Sequence, residues 1–285
     1  MDIAELLICG GSEVFAVDPE HPTDFVWHWD SADRTDIPEH LTDCFGSLDE
    51  CKPVNGGSHV LITSSGGAVA LIDKATQDVV FISAVANAHS ADLLPGNRII
   101  AAASHLEDKG DRLILFDIDR PEEALWSDDL PKGHGAVWDE SRSLFWALSN
   151  TDIRSYTFRD WASDRPSLEL VSSTELPEPG GHELSWADNE TFHVTTSNEC
   201  WQYQLETHTI TRHPILGGSA QVKSISSHPD TGRIAYTQGE GGNWWSENIH
   251  LKDPDRSLSY PGKRLYKCRW QSAMPGARLD SQAAE

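Results

Sequence analysis

The sequence predicts an all-β chain folded as a six-bladed β-propeller, with four antiparallel strands in each blade. Short runs rich in Val, Ile, Phe and Trp are bounded by Gly, Pro, Asp and Asn, as strands and tight turns are. These runs recur in groups of four with a period of about 40 residues, the usual length of a propeller blade. No segment with helical periodicity competes with them; residues 38–45 form at most one helical turn.

Five blades are predicted complete along the chain, each as four consecutive strands. The second blade comprises residues 52–54, 59–63, 68–73 and 79–84, and the third comprises 89–94, 98–104, 112–117 and 124–127. The fourth comprises 134–138, 143–148, 153–158 and 168–172. The fifth comprises 182–186, 191–196, 200–205 and 209–214, and the sixth comprises 223–228, 233–237, 247–251 and 258–260.

The two ends of the chain complement each other. The N-terminal group has only three strands, at residues 5–9, 13–18 and 25–30, whereas one strand is left over at 264–270. We expect the C-terminal strand to join the first blade as its innermost strand, because this closes the ring without free sheet edges. Residues 1–270 are therefore predicted to be one domain, and 271–285 a disordered tail.

The composition limits the classes of partner. Lys and Arg total 22 and Asp and Glu total 45, so the net charge of −23 argues against nucleic acid and anionic membranes as partners. The sequence contains no run of 18 apolar residues, so no membrane-spanning helix is predicted. No signal peptide is recognised, although the mature form of a periplasmic or secreted protein would also lack one, so the compartment is left open. A monomer is expected.

The first residue of each predicted innermost strand is lysine or histidine. The six residues are Lys52, His89, His134, His182, Lys223 and Lys267, and Arg269 follows in the last strand. Innermost strands line the central channel and begin at the same face, so these side chains are expected to surround one mouth. Such a cluster needs a negative counterpart, which is either buried carboxylates of the protein or an anionic ligand.

Two further features are assigned to this mouth. The Gly-rich loop 239–245 contains Trp244 and Trp245, which are expected to form an aromatic wall against a sugar ring, with packing between blades as the alternative. His105 ends the second strand of the third blade and is expected near His89, with a surface hairpin histidine as the alternative.

The remaining tryptophans and histidines at notable positions are given structural roles. The tryptophans that share one repeat position, Trp138, Trp186 and Trp270, are predicted to be core residues. The isolated histidines, His21, His28, His208, His213 and His250, are predicted to lie on the surface.

Neither a cofactor nor a metal is assigned. Five cysteines without a CxxC pair do not indicate a structural zinc motif or a complete disulfide set. A minority alternative is zinc held by His89, His134 and His182, which the neighbouring lysines make electrostatically unfavourable. The chain has no GxSxG, P-loop, HExxH or GxGxxG motif in the required context.

The histidine motifs resemble those of a bacterial β-propeller family with no assigned function. The segments that carry the resemblance are 89–97, 103–105, 133–139 and 180–185. More distantly they are similar to the β-propeller polysaccharide lyases, such as the ulvan lyases. That similarity implies a pair of catalytic histidines, one beginning an innermost strand and one ending the next, and His89 and His105 match these positions. Those lyases also use a Tyr and an Arg, which have no secure match here.

The expected function is binding of an anionic, uronate-containing saccharide or another small anion at the channel mouth. Its catalytic form would be a lyase that acts by β-elimination, with His89 and His105 as acid and base. Lys52, His134, His182, Lys223, Lys267 and Arg269 would bind the substrate, together with Trp244 and Trp245. Two alternatives stay open: a propeller that binds a glycan or anion without turnover, and a scaffold for a protein partner.

Overall fold

The computed structural model describes residues 5–271 and 276–281 and confirms the six-bladed propeller. It contains six sheets of four antiparallel strands. In five of the sheets the strands follow one another in chain order from the channel outward, and in the first sheet the C-terminal strand is the innermost. The first sheet has β1 (Leu6–Gly10), β2 (Glu13–Val17) and β3 (Phe25–Asp30). The second has β4 (Leu48–Val54), β5 (His59–Ser64), β6 (Ala68–Asp73) and β7 (Val79–Ala84).

The other four blades repeat this plan. The third blade has β8 (Ala88–Leu94), β9 (Arg98–Ala103), β10 (Arg112–Asp117) and β11 (Arg120–Asp129). The fourth has β12 (Gly135–Asp139), β13 (Leu144–Leu148), β14 (Asp152–Arg159) and β15 (Ser167–Glu175). The fifth has β16 (Glu183–Asp188), β17 (Thr191–Thr195), β18 (Cys200–Gln204) and β19 (Thr209–Arg212). The sixth has β20 (Val222–Ser227), β21 (Ile234–Gln238), β22 (Asn248–Leu251) and β23 (Arg256–Ser259).

The C-terminal strand closes the ring, as predicted. Strand β24 (Leu265–Trp270) pairs antiparallel with β1 and so becomes the innermost strand of the first blade. The fit at this joint is tight, since a Cβ atom on Gly10 would lie 2.0 Å from the carbonyl oxygen of Arg264. The glycine therefore lets the two chain ends meet without opening the sheet.

Apolar side chains fill the space between neighbouring blades, because each sheet buries both faces. The largest fully buried side chains include Trp29, Trp146, Tyr156 and Tyr203. The innermost strands β4, β8, β12, β16, β20 and β24 contact one another in ring order around the channel. Their parallel arrangement brings the first residues of all six to one end, which we call the upper mouth.

Short 3-10 helices cover residues Ser31–Asp33, Glu39–Phe45 and Asn55–Gly57, in connections and not in the blades. Within the described residues no helix has the length and apolar character needed to cross a membrane. All five cysteines carry free thiols.

Residues 276–281, which the sequence predicted to belong to a disordered tail, lie across the end of the channel opposite the upper mouth. The side chain of Ala277 is buried there. The amide of Leu279 donates to Oδ1 of Asn55 at 3.1 Å, and the amide of Gly96 donates to the carbonyl oxygen of Ser281 at 2.7 Å. These bonds attach the segment to connections of the second and third blades.

Candidate functional site

Four of the six innermost strands contain a β-bulge near their first residue, and the extra residue of each bulge lies at the upper mouth. The extra residues are Asp49 in β4, His89 in β8, Lys223 in β20 and Tyr266 in β24. His134 and His182 occupy the matching positions, directly before β12 and β16. Bulges next to functional sites commonly re-aim a side chain, and here they give the mouth one residue from each blade.

Three imidazoles form a row along the mouth. The ring centroid of His134 lies 4.3 Å from that of His89 and 4.9 Å from that of His182. His89 pairs through Nδ1 with the carbonyl oxygen of Asn87 at 3.0 Å, and His134 pairs in the same way with Lys132 at 2.8 Å. A carbonyl can only accept, so Nδ1 of both rings carries a proton, and Nε2 is the basic nitrogen of the neutral tautomer.

Lys223 continues the row beyond His182. Its Nζ lies 3.4 Å from Nε2 of His182 and donates to Oε1 of Gln221 at 3.1 Å. Burial, with the nearby Lys223 charge, lowers the pKa of His182 to about 3, and burial lowers the pKa of Lys223 to about 8. Burial together with the other two imidazoles also lowers the pKa of His134. Near pH 7 the row therefore combines neutral His134 and His182 with a lysine that is still charged.

Tyr266 closes the row on the other side of His89. Its ring centroid is 6.2 Å from that of His89 and 5.5 Å from that of Trp244, whose side chain is 47% exposed. Burial raises the pKa of the Tyr266 phenol, so the hydroxyl keeps its proton. Trp244 thus lies beside the mouth through its contact with Tyr266, whereas Trp245 contacts the Arg264 guanidinium at 5.6 Å.

Two members of the predicted cationic ring, Lys267 and Arg269, lie deeper in the channel than the mouth residues. Lys267 and Arg269 extend into the channel and pair with two buried carboxylates from other blades, Glu50 and Glu183. The four N–O distances lie between 2.7 and 3.3 Å, and all four side chains are at most 6% exposed. These two cations are therefore neutralised inside the protein and do not face the mouth.

The sequence alignment of Lys52 with the mouth residues is wrong. Strand β4 begins at Leu48, so Lys52 lies three positions farther along than Asp49, at the opposite end of the channel. There its Nζ donates to the carbonyl oxygen of Ala136 at 2.5 Å and pairs with Asp92 at 3.3 Å. Lys267 is likewise one position below the mouth, because Tyr266 is the bulged residue.

His105 lies on the rim and not in the row of imidazoles. Its side chain is 64% exposed, and its Nδ1 is 2.7 Å from the carboxylate of Asp111. It is linked to His89 indirectly, through Asn87, whose side-chain amide donates to the His105 carbonyl oxygen at 2.8 Å. Asp111 also accepts a hydrogen bond from the amide of Lys132, so it fixes this part of the rim.

The zinc alternative finds little support in the geometry. Among the described residues, the group whose ligand atoms all lie within 4.8 Å of one another is Glu13, His28 and Asp30. The three mouth histidines do not form such a group. In the Glu13 group, Lys263 already binds the glutamate at 2.6 Å, so a cation has a built-in competitor.

Tyr266, Asp49 and the two carboxylates inside the channel were not predicted from the sequence. A signal for the first two exists, because an apolar residue precedes the bulged residue in each strand with a bulge: Leu48, Ala88, Val222 and Leu265. Aligning these strands on that apolar residue, and not on the basic one, places the residues of the upper mouth at the same position. No local signal identifies Glu50 and Glu183 as partners of β24, since more than 80 residues separate each from it.

Comparisons with known proteins agree with the architecture. The structure is similar to a chain in the crystal structure of the nidogen/laminin complex, with a TM-score of 0.61 and 10% identity, covering 94% of this chain and 98% of that chain. It is also similar to a chain of the mitotic checkpoint complex, with a TM-score of 0.58 and 11% identity, covering 91% of this chain and 76% of that chain. Identities this low show the propeller fold alone.

No curated protein matches the sequence. A family model, described as a family of unknown function (DUF6528), matches residues 12–274. That match spans the blades that build the upper mouth, and the chain therefore belongs to the DUF6528 family.

Proposed function

We propose that the upper mouth binds a carboxylate-bearing saccharide, such as a uronate-containing oligosaccharide. The observation that carries the proposal is the continuous row of His89, His134, His182 and Lys223, with Tyr266 at its other end. His89 and His182 are half-buried, so the row is reachable from solvent. A polyhydroxylated ligand needs many hydrogen-bonding partners, and this row offers imidazole nitrogens, an ammonium and a phenol.

Lys223 is the residue assigned to the carboxylate. The sequence analysis gave this role also to Lys267 and Arg269, but both are already paired with Glu50 and Glu183. Lys132 stands exposed on the rim, and its charge is the smallest of several causes, led by burial and Lys223, that lower the pKa of His182. Asp49 lies at the same mouth, and burial raises the pKa of its carboxyl. The two lysines of this opening favour an anionic group there, in a protein with a net charge of −23.

Trp244 favours a saccharide over a bare inorganic anion. Its half-exposed ring packs edge-on against Tyr266 and leaves an aromatic face at the mouth. Sugar rings present C–H faces that pack on indole, while their hydroxyls reach polar neighbours.

Binding can be tested by isothermal titration calorimetry with a uronate oligosaccharide and with its neutral, methyl-esterified form. We expect Lys223→Met to weaken binding of the acid about tenfold or more, since a hydrogen bond to a charged group contributes about 1.5–3 kcal/mol. The matched control is Lys252→Met, which removes an exposed ion pair with Asp255 in the same blade. Equal binding of acid and ester, or an unchanged affinity in Lys223→Met, would contradict the proposal.

The same geometry favours catalysis by β-elimination as a second candidate function. In the neutral tautomer that the Asn87 carbonyl fixes, Nε2 of His89 is the basic nitrogen and would take the proton α to the uronate carboxylate. The electrons of that C–H bond form the new C=C bond as the C4–O bond breaks, and the leaving oxygen takes a proton from Tyr266. Tyr266 replaces His105 in this proposal because its ring lies next to His89, whereas His105 bonds Asp111 on the rim.

Turnover can be followed through the ultraviolet absorbance of the unsaturated product. We expect His89→Gln and Tyr266→Phe to abolish the signal while binding persists, and His105→Gln to retain it. Binding without product in the wild-type protein would support a non-catalytic glycan-binding propeller. If neither binding nor product is found, the protein-interaction scaffold becomes the better hypothesis.

A further inference from the structure

A second cavity lies at the lower end of the channel, beyond the buried ion pairs of Lys267 and Arg269. Its volume is about 80 Å³, room for several water molecules or a small organic molecule. The later residues of the innermost strands line it, and Gly276 and Ala277 cover part of its edge. The tryptophans that the sequence assigned to the core, Trp138, Trp186 and Trp270, form much of its apolar wall.

A buried relay of hydrogen bonds ends at Ser227 in this cavity. Nε2 of His193 lies 2.8 Å from the Ser227 hydroxyl, and Nδ1 of His193 lies 3.2 Å from Nε2 of His213. His193 is 1% exposed and His213 is 3% exposed. The prediction that His213 lies on the surface is therefore wrong: it follows β19 and folds back under the sheet.

Backbone geometry fixes the direction of every bond in the relay. The amides of Ile215 and Leu216 both donate to Nδ1 of His213, at 3.1 and 3.0 Å, so that nitrogen carries no proton. His213 must then donate from Nε2, and His193 in turn donates from Nε2 to the Ser227 oxygen. Burial lowers the pKa of both imidazoles, that of His213 to about 4, so both rings are neutral. The Ser227 hydroxyl accepts from the protein and keeps its own O–H for a further acceptor.

Other groups of the cavity also have donors to spare. The Ser226 oxygen accepts from the amide of Trp270 at 3.0 Å, which leaves its O–H to donate. The Lys52 ammonium has three N–H groups and contacts two protein oxygens, those of Ala136 and Asp92. The Asp92 carboxylate, by contrast, already accepts from Lys52 and from the amides of Leu93 and Trp138. Three of the about four acceptor positions of Asp92 are thus in use, and among these groups the hydrogens that Ser226, Ser227 and Lys52 can still donate outnumber the acceptor position left on Asp92.

We infer that the lower cavity is a second ligand site, which takes a small organic carboxylate. The carboxylate accepts hydrogen bonds from Ser227 and Lys52, and the apolar part of the molecule contacts the tryptophans. A carboxylate has acceptors only, so it matches these donors, whereas a primary amide of the same shape brings two N–H groups for which the cavity has fewer acceptors left than it has donors. The buried ion pairs separate this site from the upper mouth.

Benzoate and benzamide are suitable probes, because they share a ring and differ in the polar group. We expect the wild-type protein to bind benzoate about tenfold or more tightly than benzamide in calorimetric titrations. Ser227→Ala and Lys52→Met are each expected to lower the benzoate affinity by a similar factor, and Ser227→Thr to restore it. Melting temperatures from circular dichroism show whether each variant is folded, and if Ser227→Ala unfolds, Lys52→Met alone decides.

Equal affinities for the two probes would overturn the inference, and so would an unchanged benzoate affinity in folded Ser227→Ala and Lys52→Met. Loss of benzoate binding in Lys223→Met would place the probe at the upper mouth and also overturn it. The saccharide titrations test the upper mouth and the benzoate titrations test the lower cavity. The proposal for one site can therefore fail while the proposal for the other holds.

Discussion

Replacing Glu183 by Gln is the sharpest test of the buried ion pairs in the channel. The substitution keeps the shape of the side chain but removes one of the two negative charges that face Lys267 and Arg269. In the wild-type protein two cations face two carboxylates, and Glu183 is completely buried. The variant leaves two cations with one carboxylate, Glu50, in a place where water cannot compensate.

The expected loss of stability follows from this imbalance. Removing one partner of a buried ion pair costs about 3–5 kcal/mol, because the other partner keeps its desolvation penalty. An exposed pair is worth about 0–1 kcal/mol. Glu169 forms such a pair with Arg159, and more than half of each side chain is exposed. Glu169→Gln is therefore the matched control, with the same chemical change outside the channel.

Both variants can be compared by urea unfolding followed by tryptophan fluorescence and circular dichroism. We expect the free energy of unfolding of Glu183→Gln to fall by about 3–5 kcal/mol and that of Glu169→Gln by less than about 1 kcal/mol. Coincident transitions from the two probes are needed for these values to hold. A loss in Glu183→Gln no larger than in the control would refute the reasoning, since the four charges would then not be desolvated.

Three further outcomes follow from the same contacts. The pKa of Glu50 is held low in the folded state, despite burial, by Arg269 and Lys267, so its stabilising effect is present above pH 4.5 and is lost as the pH falls; the stability gap between wild type and Glu50→Gln should shrink in acid, and a gap constant from pH 7 to 3 would refute this. The Lys223 ammonium loses its charge as the pH rises through about 8, so saccharide affinity measured by calorimetry should fall between pH 7 and 9, but not in Lys223→Arg. Gly10→Ala should lower the free energy of unfolding by about 1–3 kcal/mol, because the added methyl group would meet the Arg264 carbonyl at the ring closure; an unchanged urea midpoint would show that β24 shifts freely.

The candidate site was predictable only in part, and the innermost strands show why. The residues directly before or near the start of β8, β12, β16 and β20 lie together, and the sequence indicates this because a histidine or lysine stands at the same point of each repeat. In β4 and β24 the residue at that point is Asp49 or Tyr266, which the search for basic residues passed over. A bulge adds one residue to these strands, and a shift of one residue changes which side chains face the channel.

The sequence by itself determined the blades, their number and the closure of the ring, because these depend on local strand patterns that repeat along the chain. Tertiary structure alone decided which charges face a ligand and which neutralise one another. Glu50 and Glu183 meet Lys267 and Arg269 across the channel from three different blades. The same holds for the relay from His213 to Ser227, which joins the outer edge of one blade to the inner strand of the next. Such contacts depend on distances across the ring, and a sequence pattern records only neighbours along a strand.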